Sequence, residues 1–567
     1  MKQLLAFFLS VFTLVSSAQD NYYTSPVKIP IYLSGSFAEL RSNHFHSGID
    51  IKTQQTVGHA VHSVAEGFIS RIVVSPAGFG NALYIDHPNG TTSVYAHLQS
   101  FRKDIQDYVR DIQYKKQSFR IDEKVPADRF PVKQDEIIAK SGNSGSSGGP
   151  HVHFEIRDTE SEEPLNPLYY NFPVTDNIAP KLYSIMVVPL NEFSHVDYTP
   201  DRKIFPVVFK NGRYHLQNST VVPAYGNIGI AVEANDFFDG SHNRCGIYSM
   251  KVWFDGELYF DIQMDRFSFH ESRYINSYTD YGEYVTSKRR FQKAWIDPGN
   301  RLRMYNTTHR GGNLKMTDGN YHPVKIELKD LQGNTSVLEF TLASRYSKIQ
   351  RPEPQYSKYL RYDRHNEYKT DVVKLEFPEE ALYNDIMFRH REIPVSNPLY
   401  SDIHVVHNDK VPLHNNVLLS IKAEKLDKNL QDKALLVKVD TLTNEYAAAG
   451  GVYDKGWVTG HIRSFGNYGI AVDTVPPEII PMSFRSNGEL SESSRIRFRI
   501  NDELSGIKSY EGLLNGNWAL FEYDAKTNTI VHYFDEKRFE LGKRHRFVLT
   551  VTDYKDNKTT YEASFWK

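Results

Sequence analysis

Between Ile29 and Ile156 the apolar and polar positions alternate in short runs broken by turn-forming residues, the pattern of β-strands. Gly67–Val74 reads as one strand, and Asn81–Asp86 and Thr92–His97 as two more. Pro88-Asn89-Gly90 between the last two is a hairpin signal, because Asn-Gly accepts positive φ. Ser93, Tyr95 and His97 then share one face, and Val94 and Ala96 the other. This predicts His97 at a strand end, facing away from the more apolar side. From about 101 to 130 the period changes. Ile105, Tyr108, Val109 and Ile112 fall at i, i+3, i+4 and i+7, which predicts an amphipathic helix inserted into a β domain, packing over a sheet edge or cleft rim. Strand character returns at Val132–Lys140. Ser141–Pro150 then reads as a flexible loop; it has no Gly-Lys-Ser/Thr ending and no helix after it, so it is a poor phosphate cradle. In His151-Val152-His153-Phe154-Glu155-Ile156 the apolar trio takes one face and both histidines the other.

Past Pro167 a repeat emerges. Asp176-Asn177-Ile178-Ala179-Pro180 resembles Asp473-Thr474-Val475-Pro476-Pro477. Each copy continues with an Asn-Asp pair (Asn235-Asp236; Asn501-Asp502) and a Gly-Ile pair (Gly246-Ile247; Gly506-Ile507). Each closes on Asp-x-x-x-Asn, at Asp330–Asn334 and Asp553–Asn557. With alternating strands between, this is the pattern of immunoglobulin-like β-sandwiches, the first copy longer by insertions such as 265–311. The Asp and Asn positions read as turn formers, with calcium as the alternative. Residues 346–472 differ in texture: Arg351-Pro352-Glu353-Pro354 reads as a linker, and the strand-like runs after it carry no functional motif. The expected fold is mainly β: an antiparallel-sheet domain with a helical insertion at 19–175, an immunoglobulin-like domain at 176–345, a β domain of unknown type at 346–472 and an immunoglobulin-like sandwich at 473–567.

At 567 residues the chain exceeds one core, and 13% aromatics with 24% charged residues favour ordered β folds over disorder. A net charge of -2 gives no global basic field to attract nucleic acid, and no Lys/Arg run is long enough to argue for a local patch, so no nucleic-acid partner is expected. Met1-Lys2-Gln3, the apolar run Leu4–Val15 and Ser16-Ser17-Ala18 read as a signal peptide over 1–18. The run is too short for a good transmembrane span, and none follows. The chain is therefore expected to be exported, to the periplasm or the extracellular face of the envelope. Cys245 is the single cysteine, so no intrachain disulfide or thiolate zinc site can form, and it reads as a small buried apolar residue.

The chemistry lies in a histidine set. Catalytic zinc takes three protein ligands and keeps one position open for water. His46, Asp50 and one of His151 and His153 would supply two imidazoles and a carboxylate. Zinc-bound water is acidic enough to act near neutral pH, and His97 with the other strand histidine could handle protons.

The ordered series His46-Ser47-Gly48-Ile49-Asp50, Val64-Ala65-Glu66-Gly67, Gly78-Phe79-Gly80-Asn81, Tyr95-Ala96-His97-Leu98, Ser141-Gly142-Asn143-Ser144-Gly145 and Gly149-Pro150-His151-Val152-His153-Phe154-Glu155 resembles the lysostaphin-type zinc endopeptidases of bacterial cell walls. The resemblance covers about residues 36 to 160. It implies that His46, Asp50 and His153 hold Zn2+, and that His97 and His151 polarise the water and stabilise the oxyanion. It further implies peptidoglycan as substrate, cut at peptide bonds of stems or cross-links. The alternative is a non-catalytic wall-binding activator of other hydrolases, which usually lacks metal residues; here all five positions are filled. Arg41, Asn43 and His44 are candidates to touch a ligand from outside or to meet substrate. His59, His62 and His87 match no motif position. Envelope proteins are a further candidate partner for the C-terminal β domains.

Overall fold

The structure is a computed structural model that describes residues 22–567 apart from 396–398, 483–489, 491–492 and 536–537. The expected signal peptide lies outside the described residues. Within them no helix is long and apolar enough to cross a membrane.

The N-terminal domain is built from β1 (Leu33–Gly35), β2 (Ile49–Lys52), β3 (Ala60–His62), β4 (Gly67–Val74), β5 (Asn81–Asp86), β6 (Thr91–Ala96) and β7 (Ser100–Phe101). Helix α1 (Lys103–Lys116) follows, then β8 (Ile121–Lys124), β9 (Pro131–Val132), β10 (Ile137–Lys140) and β11 (His151–Asp158). The main sheet runs β1-β2-β11-β6-β5-β4-β8, with β3-β10-β7 as a small second sheet. Every pairing along these paths is antiparallel. The core forms where the alternating apolar residues converge: Val152, Phe154 and Ile156 of β11 are fully buried with Tyr95 and Ile49. Helix α1 buries Ile105 and Val109 on one face, matching its apolar stripe.

Two local expectations fail. Val132–Lys140 is not one strand: a turn separates β9 from β10, with Asp135 at φ 64° and the Lys133 amide donating to the Glu136 carboxylate. A left-handed residue ends pairing whatever the strand propensity around it. The loop 141–150 is pinned rather than a free tether. Ser144 Oγ accepts from Asn81 N and donates to Leu98 O, and the Ser146 amide donates to Gly78 O. Glycines make this docking possible, since a Cβ on Gly145 would stand 2.3 Å from Gly80 N.

Three β bodies follow. Residues 176–345 form a large sheet assembly around a core centred on Ile185, Val232, Met250 and Ile326. Residues 357–473 hold two five-stranded sheets, and the C-terminal part holds two four-stranded sheets that sandwich Phe498, Phe547 and Phe565. The bodies are not separate beads. Phe37, Ala38 and Phe45 of the N-terminal domain are buried in the core of the second body, while Phe238 and Cys245 of the second are buried in the core of the first. Cys245 is thus the small buried residue expected.

The last sandwich also returns to the first domain. Trp518 packs edge-on against Tyr114 of α1 at 5.3 Å, and Arg538 pairs with Asp111 at 2.8 Å while lying over the Tyr114 ring. An edge-on aromatic pair of this kind contributes about 0.5–1.5 kcal/mol beyond area burial. Trp518→Ala is expected to speed amide hydrogen exchange in α1 with far-UV circular dichroism unchanged. Unaltered exchange there would show that the contact does not hold the helix.

Candidate functional site

Strand pairing creates the site. In the register of β2 with β11, Asp50 stands directly opposite His153, and their side chains share the face away from the Phe154 core. His46 lies four residues before Asp50 on a segment that folds back over β11. The approach is so close that a Cβ on Gly48 would stand 2.2 Å from Phe154 O, so the glycine between His46 and Asp50 is a spatial requirement.

The result is a triangle. His46 Nε2, Asp50 Oδ1 and His153 Nδ1 lie 3.0 Å from one another on all three sides. Outer partners set which ring nitrogens face inward. His46 Nδ1 is 2.7 Å from Ser36 O, and a carbonyl only accepts, so the proton sits on Nδ1 and the Nε2 lone pair points into the triangle. His153 Nε2 is 2.8 Å from Glu155 Oε1, which likewise turns the Nδ1 lone pair inward. Glu155 is held in turn by Arg157 at 2.6 Å and by the Ser47 hydroxyl. Burial alone would raise Glu155, but Arg157 and His153 bring it down to about 2, so it stays an acceptor.

Three inward lone pairs at this spacing repel unless a positive charge lies among them. The histidine titration reflects this. Burial opposes charge on His153, yet the hydrogen bonds to Asp50 and Glu155 outweigh it and raise the ring to about 9. Burial would likewise raise Asp50, but His46 and the hydrogen bonds from three histidines hold it well below the carboxylate range. Two imidazole nitrogens and one carboxylate oxygen, each oriented by an outer partner, fit the donor set and spacing of a tetrahedral zinc site with one open position.

The other two histidines flank the triangle. The His97 and His151 rings are 4.8 Å apart. His97 departs from the face that strand alternation predicts. Tyr95 points into the main core, whereas Val94 and Ala96 lie on the site side in a small cluster with Ala82 and Tyr84, so both sides of β6 are apolar. His97 follows the end of β6 with φ 59°, and this left-handed residue turns the ring off the Tyr95 face toward His151.

His97 Nδ1 donates to Ser144 O at 2.9 Å, and His151 Nδ1 to Gly149 O at 2.8 Å. Both carbonyls belong to the pinned loop 141–150, and both rings are left with an accepting Nε2. They differ in what faces that nitrogen. His151 Nε2 is 3.4 Å from Asp50 Oδ1; His97 forms no ion pair with a carboxylate among the described residues. Burial and the neighbouring His153 and His151 push His97 down to about 3.

Of the remaining candidates, Arg41 pairs with Asp50 Oδ2 at 2.8 Å. Asn43 and His44 are exposed on the adjoining turn and make no hydrogen bond to the cluster among the described residues. His87 is satisfied by Glu66 O and Ser93, His59 by Thr56 and His62 by Asp135 O. Sequence reasoning missed Glu155, Arg157, Ser36 and Phe79, whose ring stacks on His153 at 5.1 Å. Glu155 was readable in principle, being two residues past His153 and so on the same strand face. Ser36 was not, because its carbonyl is the functional group.

Later bodies line the site. The Phe45 amide donates to Ser272 Oγ at 2.9 Å, Arg290 donates to Arg41 O at 2.7 Å, and Phe269 covers the Arg157 guanidinium. From the last sandwich, Lys526 Nζ donates to Asn143 O and Ser147 O of the loop that orients both flanking histidines.

A depressed carboxylate stabilises the folded state above its unfolded pKa, and that stability is lost as pH falls through the folded value. The Glu155 contribution is therefore expected to be complete above about pH 4.5 and to disappear toward pH 2. Hydrogen exchange of β11 amides across this range checks it: wild type should lose protection as pH falls, and Glu155→Gln should show lower protection with a flatter profile.

Residues 44–114 match Peptidase family M23, and residues 357–473 match the Zu5-like domain. The DD-carboxypeptidase/endopeptidase Mpg of Neisseria meningitidis is 31% identical over 137 residues, 24% of this chain and 25% of that protein. An uncharacterized metalloprotease of Haemophilus influenzae is 28% identical over 132 residues, 23% of this chain and 22% of that protein. The chain thus spans about a quarter of the length of the curated relatives it matches. The solved catalytic domain of lysostaphin from Staphylococcus simulans aligns at 22% identity with a TM-score of 0.18, covering 24% of this chain and 88% of that one. With its motif series, its antiparallel sheet and this family match, the N-terminal domain is a lysostaphin-type peptidase domain of family M23.

Proposed function

We propose that this chain is an exported zinc-dependent endopeptidase that hydrolyses peptide bonds in peptidoglycan. The observation that carries the reading is the 3.0 Å triangle of His46 Nε2, Asp50 Oδ1 and His153 Nδ1 with two accepting imidazoles beside it. The Neisseria relatives are named DD-carboxypeptidase/endopeptidase, which makes a DD-peptide bond the first substrate to test. Cell-wall chemistry in turn places the protein in the envelope, and the apolar segment at Leu4–Val15 serves as its export signal.

In this reading His46, Asp50 and His153 hold Zn2+, which when bound lowers the pKa of a water and polarises the scissile carbonyl. His151 is the base. Its Nε2 lone pair accepts the water proton, Asp50 stabilises the imidazolium at 3.4 Å, and the same nitrogen returns the proton to the leaving amine. His97 has no such carboxylate and stays neutral, so it orients the water by accepting a hydrogen bond. Neither ring can donate to an oxyanion from Nε2 until it is protonated, which makes proton transfer to His151 precede oxyanion stabilisation by it. A non-catalytic activator gains no support, because all five side chains are present and their tautomers are set.

Digestion of purified sacculi followed by mass spectrometry of the new termini tests the assignment. His46→Ala and Asp50→Ala are expected to lose both bound zinc and hydrolysis; cleavage unchanged in these variants would refute it. His151→Ala should keep zinc while turnover drops by roughly 10²–10⁴. Glu155→Gln should weaken zinc binding by roughly 10–100-fold through loss of tautomer control.

A further inference from the structure

The internal repeat places two carboxylate clusters at corresponding points of the second and last bodies. Asp176, Asp236 and Asp330 each bring one oxygen within 4.8 Å of the others, and so do Asp473, Asp502 and Asp553. The third aspartate of each copy is explained as a turn former. Asp330 accepts from Asn334 N and Nδ2 at 2.8 and 2.7 Å, and Asp553 from Asn557 N and Nδ2 at 2.9 and 2.7 Å. Asp176 accepts from Ile178 N.

Asp236 has no such explanation. It is 2% exposed and its Oδ1 has no hydrogen-bond partner. Among the described residues none of Asp176, Asp236 and Asp330 forms an ion pair within 4 Å. An unpartnered buried carboxylate beside two others is strongly unfavourable unless it is protonated or meets a cation.

A further observation points to a cation. A cavity of about 20 Å3, room for one water or small ion, is lined by Asp176, Asp236, Gly246, Gln332 and Ser36. The two copies differ in burial: Asp502, the counterpart of Asp236, also has an Oδ1 without a hydrogen-bond partner but is only partly buried, whereas Asp236 is closed off from solvent.

We infer that Asp176, Asp236 and Asp330 bind one calcium ion at the junction of the peptidase domain and the body that follows. An all-oxygen donor set selects a hard cation over zinc. Calcium accepts irregular coordination, whereas magnesium demands near-ideal octahedral geometry. The site reaches the peptidase chemistry through one residue: Ser36 lines the cavity, and its carbonyl orients His46.

Isothermal titration of calcium into the full-length, zinc-saturated, calcium-stripped protein tests this independently of hydrolysis. One calcium per chain is expected, with Kd in roughly the micromolar to millimolar range and a calcium-dependent rise in Tm. Asp236→Asn and Asp176→Asn, checked for folding by far-UV circular dichroism, should lose roughly tenfold or more in affinity, because a ligand charge is removed. Asp502→Asn should titrate as wild type. No binding at ~10 mM calcium, beyond the weak end of known protein sites, would overturn the site. So would wild-type affinity in Asp236→Asn, or binding abolished by Asp502→Asn instead.

Discussion

A hydrogen bond to each of two histidines, on the ring nitrogen that faces away from the centre, decides what this protein can do. Ser36 O fixes the proton of His46 on Nδ1, and Glu155 fixes that of His153 on Nε2, so the remaining lone pairs converge with Asp50 at 3.0 Å. Reversal of either tautomer would place an N–H in the triangle and remove an inward lone pair. The pocket is buried, so the choice is not averaged out by water.

These two acceptors depend on the rest of the chain. Ser36 sits on a segment wedged between domains: Phe37 and Phe45 are buried in the next body's core, and the Gly246 amide donates to Ser36 Oγ at 2.9 Å. Glu155 depends on Arg157, whose guanidinium lies over Phe79 and Tyr84 on its own domain and over Phe269 of the next. The last sandwich closes the ring, meeting α1 through Trp518 and the 141–150 loop through Lys526. The sandwiches thus brace both His46 and His153 and the loop whose carbonyls orient His97 and His151.

Legibility in the sequence followed the range of the interaction concerned. The strands Gly67–Val74 and Asn81–Asp86 were readable to the residue, because alternation and the Asn89-Gly90 turn are local. The turn inside 132–140 and the swing of His97 were not, since each rests on one residue with positive φ that is neither Gly nor Asn. The loop 141–150 reads as a tether by composition, yet it is docked by glycine-to-glycine contact with 78–80, a partner more than sixty positions away.

The sequence by itself determined the donor inventory, two imidazoles and a carboxylate in a fixed order with two more histidines, together with the mainly β character and the duplicated aspartates. Those are properties of residue identity and short-range pattern. Tertiary structure alone decided which nitrogen of each ring faces inward, that His151 and not His97 has a carboxylate beside it, and that Asp236 is buried with one oxygen left without a hydrogen-bond partner. Charge and protonation depend on partners brought together from distant parts of the chain and on the removal of water around them. Neither is encoded in any local run of residues.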